Sequence, residues 1–147
     1  MMTADTAILA ALLVPLLGAV GIALAGRWPN LREGITLATA VALLFCVLTI
    51  LPTVLAGGRP VATLLSVMPG LEIAFEVEPL GMLFALVASS LWIVNSLYSI
   101  GYMRGNDEAH QTRFFVCFAL ALSATMGIAF SGNLFTLLIF YELLTLI

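Results

Sequence analysis

The chain has 147 residues, of which 63% are hydrophobic and only 9% are charged, with a mean hydropathy of +1.19. A soluble domain is about 45–50% apolar and about 25% charged, so this composition excludes a water-surrounded globule and points to a membrane protein. The five basic residues are all arginine, and a net charge of −3 offers no basic face for nucleic acid.

Crossing the hydrocarbon takes about 20 mostly apolar residues in a helix. Taken in chain order, hydropathy predicts spans over about 6–26, 34–56, 80–103 and 114–130, and a fifth that begins near 133 and is incomplete at 147. The first is not read as a cleaved signal, because Asp5 and no basic residue precedes a long apolar run. The expected fold class is therefore an all-α membrane protein, with residues 1–147 forming a single membrane domain.

Loop charges predict the orientation. Arg27 and Arg32 fall between spans one and two, and Arg104 and Arg113 between three and four, against Arg59 alone in the loop between two and three. Basic residues favour the cytoplasmic side, so loops 27–33 and 104–113 are expected inside and the N-terminus outside. Lys-free, Ala-rich usage suggests a bacterial genome and hence a bacterial inner membrane.

The outer loop carries its own pattern. "VATLLSVM" and "LEIAFEVE" flank Pro69-Gly70, a pair suited to the centre of a type II turn, since proline presets φ and glycine accepts a positive value. Glu72, Ala74, Glu76 and Glu78 alternate with Ile73, Phe75 and Val77, the period of a half-buried strand. A small extracytoplasmic β-hairpin over about 60–78 is expected, with the glutamates as its wetted face.

Few residues can carry chemistry. Cys46 and Cys117 lie in separate apolar runs and are read as buried small side chains, and His110 is the single histidine, so no metal or cofactor site is expected. Glu142 stands out within "IFYELLTLI". It lies nine residues beyond Asn133, about 13 Å along a helix and close to the middle of a core about 30 Å thick. Burying an acid there costs roughly 2.5–3.5 kcal/mol even on the mild insertion scale, so Glu142 should face protein or water and mark a proton path.

Candidate companions are Asn95 and Ser96 in span three, beside Ser89 and Ser90, and Ser123 and Thr125 in span four; each can hold water or bond a neighbouring helix. His110 is a weaker candidate for proton uptake. No second midplane charge occurs in the chain. Residues 133–147 amount to about 22 Å of helix, less than a crossing, so the helix is expected to continue and the chain to be part of a longer subunit.

"FEVEPLGMLF", "LYSIGYMRG", "TRFF" and "SGNLFTLLIFYELLTL", in that order, resemble the N-terminal part of the antiporter-like membrane subunits found in respiratory complex I, membrane-bound hydrogenases and Mrp-type Na+/H+ antiporters. The resemblance covers roughly residues 70–147. It implies about fourteen spans built as inverted repeats, a hairpin between helices two and three, and a proton-transfer glutamate in helix five that corresponds to Glu142. Tyr141 stands where the family usually has Trp or Phe. The family's lysines in its seventh, eighth and twelfth helices have no counterpart here.

The implied function is a proton or cation/proton translocating subunit, with membrane lipids, other subunits, H+ or Na+ as partners. NADH, flavin and quinone have no recognisable site, so the chain alone would hold no active site. The alternative is a membrane scaffold that docks partner subunits while Glu142 stays protonated.

Overall fold

The computed structural model describes residues 3–147. Helix α1 runs Ala4–Leu24, α2 Pro29–Leu55, α3 Pro79–Gly105, α4 Gln111–Ala129 and α5 Leu134–Leu146, with strands β1 (Val61–Met68) and β2 (Leu71–Glu76) between α2 and α3. The first four helices are long and apolar enough to cross a membrane, and α5 is a shorter apolar helix of 13 residues.

Local chemistry explains the helix starts. Thr3 caps α1, its hydroxyl accepting the Thr6 N–H at 3.4 Å, and Asp5 in the first turn complements the helix dipole. Proline opens both α2 and α3, where its missing N–H costs nothing. The α2 start at Pro29 corrects the expected start near 34. Arg32, expected in the loop between spans one and two, therefore lies in the helix, and it is buried together with its neighbour Glu33, at 5% and 6% exposure.

α1 packs against both α2 and α4, α2 against α3, α3 against α4, and α5 against α4. Alanines 7, 11, 40, 85 and 119 are fully buried, which lets the backbones approach closely, and Ile8, Ile22, Leu43, Ile50, Trp92 and Met126 fill the remaining space. Gly127 marks the tightest approach of α5, because a Cβ there would enter the ring of Phe140. Gly127→Ala is therefore expected to force α5 away from α4 and to cost about 1–3 kcal/mol, the usual penalty of overpacking. Thermal unfolding of the purified protein in detergent would measure it; an unchanged midpoint would mean that α5 moves without loss.

The hairpin is present as expected. β1 and β2 are antiparallel, paired from Val61 with Glu76 to Met68 with Leu71, and Gly70 has φ 84° at the turn. Phe75 and Val77 are fully buried, whereas Glu72 and Glu78 are exposed. Arg59 reaches Glu78 at 2.9 Å and Glu76 at 3.6 Å, an exposed arrangement of small energetic weight. The other edge of β2 is covered by the α4–α5 linker: the Glu76 N–H donates to the Phe130 carbonyl at 2.8 Å and the Gly132 N–H to the Ala74 carbonyl at 2.9 Å. Hairpin and α1 start thus share one end of the bundle, and the α1–α2 and α3–α4 connections share the other.

Candidate functional site

Glu142 sits eight residues into α5 from Leu134, about 12 Å along the axis. Thr136 and Phe140 define the covered side of α5: Thr136 is fully buried, and Phe140 packs against Gly127 and against Phe75, with ring centroids 5.6 Å apart. At about 100° per residue, Glu142 lies roughly 200° around the helix from Phe140, on the far side. It is exposed, and no hydrogen bond or ion pair reaches it among the described residues. The other helices of this chain therefore leave the acid open toward whatever occupies the space beyond α5.

The predicted polar companions do not line a single path. The Ser123 hydroxyl donates to the Leu12 carbonyl at 2.7 Å and so ties α4 to α1. Ser96 is buried, at 2% exposure, on the face of α3 that carries Ser89 and Trp92. Thr125 donates to its own helix at the Ala121 carbonyl, 2.7 Å away. Only Asn95 and Thr125 come together, in a shallow groove between α3 and α4 walled by Trp92, Tyr98 and Phe118. His110 is exposed, with a left-handed φ of 59°, just before α4 and at the opposite end of the bundle from the start of α5. Cys46 is buried as expected, but Cys117 is exposed, because it lies on the outward face of α4.

One cluster was missed from the sequence. Arg104 donates from Nε to the Glu33 Oε1 at 2.9 Å and lies 2.6 Å from Oε2 through Nη2, a two-pronged grip on the carboxylate. Arg32 approaches Oε1 at 3.5 Å and donates to Gln111 at 2.8 Å and Thr112 at 3.1 Å. Its guanidinium also lies 5.5 Å from the centre of the Phe115 ring. The Arg32 Nε finds no hydrogen-bond partner among the described residues. Two cations and one anion thus join the N-terminal part of α2, the last turn of α3 and the first turn of α4. Pro29 in "PNLREGITL" was the available signal, since proline at a helix start would have moved both charges from the loop into the beginning of the helix.

The sequence profile of the family described as NADH-Ubiquinone oxidoreductase (complex I), chain 5 N-terminus, matches residues 66–115. Na(+)/H(+) antiporter subunit A1 of Staphylococcus aureus is 31% identical over 110 residues, 73% of this chain. The same subunit from strain bovine RF122 / ET3-1 is 31% identical over 106 residues, 70% of this chain. The matched segment amounts to 13% of the length of these relatives.

Proposed function

Because the chain belongs to the antiporter-like membrane subunits shared by complex I and Mrp-type Na+/H+ antiporters, we propose that this multi-pass membrane protein works in coupled proton or cation/proton translocation, with Glu142 as the group that takes up and releases the proton. The observation that carries the reading is the position of that acid, about 12 Å into α5 on the side that α1–α4 leave uncovered. Lipid is a costly neighbour for a carboxyl at that depth, so protein or confined water should face it. A cation brought close by a further helix or a neighbouring subunit would favour the charged form, and its withdrawal would favour the proton. That exchange is the elementary step of a relay, and the energy to drive it would come from partner subunits.

Infrared difference spectroscopy of the protein in its membrane assembly tests the step. A carboxyl band that changes during turnover and is missing in Glu142→Gln is expected. A band that stays constant through turnover would instead favour the scaffold role.

The Arg-bearing connections should face the cytoplasm and the hairpin the outside. In a background without Cys46 and Cys117, Ser66→Cys is expected to react with an impermeant maleimide in spheroplasts, and Asp107→Cys only in inverted vesicles. The opposite labelling pattern would invert the orientation.

A further inference from the structure

The start of α5 is fastened to the hairpin through an unusual set of contacts. Asn133 caps the helix, its Oδ1 accepting the Thr136 N–H at 2.8 Å, while its Nδ2 donates to the Glu72 carbonyl at 2.8 Å. The Thr136 hydroxyl, fully buried, accepts the Ala74 N–H at 3.1 Å and so stands in for the carbonyl of a neighbouring strand. Between them, the Gly132 N–H donates to the Ala74 carbonyl at 2.9 Å, and a Cβ on Gly132 would press on that oxygen at 3.1 Å and on the Glu76 nitrogen at 3.2 Å. Ser131 forms an isolated antiparallel bridge with Phe75, so the linker runs along the free edge of β2 before the chain turns into α5 at Leu134, whose first turn stays tied to β2 through Thr136.

Such a clasp fixes two coordinates. It sets how deep α5 begins, and it sets the rotation of the helix, because the Thr136 side chain can reach Ala74 from one direction only. Glu142 follows six residues later, about 9 Å further along and about 240° around the axis from Thr136. From the juxtaposition of Asn133 and Thr136 with β2, we propose that these two side chains are positioning residues: the hairpin on the membrane surface holds Glu142 at its working depth and direction. This rests on the reading of Glu142 as a proton carrier, but the clasp itself makes a claim about placement that stands apart from proton transfer.

The test uses the protein in its native membrane assembly. Thr136→Val keeps the shape and removes the acceptor, Thr136→Ser keeps the acceptor, and Gly132→Ala pushes the linker off β2. A spin label at Thr145→Cys, in a background without Cys46 and Cys117, reports depth through its accessibility to oxygen and to a water-soluble nickel complex. Thr136→Val and Gly132→Ala are expected to move the label, to lower coupled transport about tenfold and to shift its pH profile, with Thr136→Ser close to the parent in both readouts. Unchanged label depth in both Thr136→Val and Gly132→Ala would overturn the proposal. So would moved labels with an unaltered pH profile, provided that Glu142→Gln is inactive. If Glu142→Gln retains full transport, the proton-carrier reading fails, and label depth alone then decides whether the clasp positions α5.

Discussion

Replacing Glu142 by glutamine is expected to lower coupled ion movement about 100-fold, the order of what a positioned proton-transfer group contributes, without loss of folded protein. Glutamine has nearly the same shape and keeps a carbonyl acceptor, but it cannot release a proton. Within this chain Glu142 has no hydrogen bond or ion pair to lose among the described residues. The variant should therefore insert and assemble at normal levels, and the defect should appear only in transport measured on membrane vesicles. Glu142→Asp retains the chemistry on a stem one carbon shorter and should fall between the two. Normal transport in the glutamine variant would remove Glu142 from the mechanism.

Glu33→Gln should produce the largest loss of stability, about 3–5 kcal/mol, the cost of leaving a buried charge without its counterpart. Arg32 is 5% exposed and already has one N–H without a partner among the described residues, so it has no route to water once the carboxylate is gone. Arg104 is different. Its side chain is 47% exposed, and Arg104→Ala leaves Glu33 still 3.5 Å from Arg32, so screening by solvent should make this the smaller loss of the two. Thermal unfolding of the three proteins would give the order parent, Arg104→Ala, Glu33→Gln. Equal losses for the two variants would show that Arg104, rather than burial, governs the cluster.

Much of the fold was legible because the bilayer is an exacting solvent. Long apolar runs reported the four spanning helices, and Pro69-Gly70 with the alternation around Phe75 reported the hairpin. What the runs could not report is which helices are neighbours. Ser123 reads as one more hydroxyl in span four until α1 is placed beside it and its bond to the Leu12 carbonyl becomes visible. The same gap hid the ion cluster: Glu33 and Arg104 are 71 residues apart, and each taken alone resembles an ordinary charge at a helix end. Cys117 reads as buried because apolar runs favour that outcome, yet α4 carries it on the outward face. Glu142 was legible as an unusual residue, and its location on the far side of α5 follows from the spacing to Thr136 and Phe140 once those two are known to be the packed side.

The contact of α1 with α4 also bears on how the bundle is made. Ser123 and Leu12 lie 111 residues apart, so α1, which also packs against α2, can meet α4 only after α2, the hairpin and α3 have been synthesised. Closure of α1 on α4 is then a long-range event that competes with exposure of the waiting faces. During biogenesis the α1–α2 pair is the stage at which an insertase or chaperone would have the most to shield.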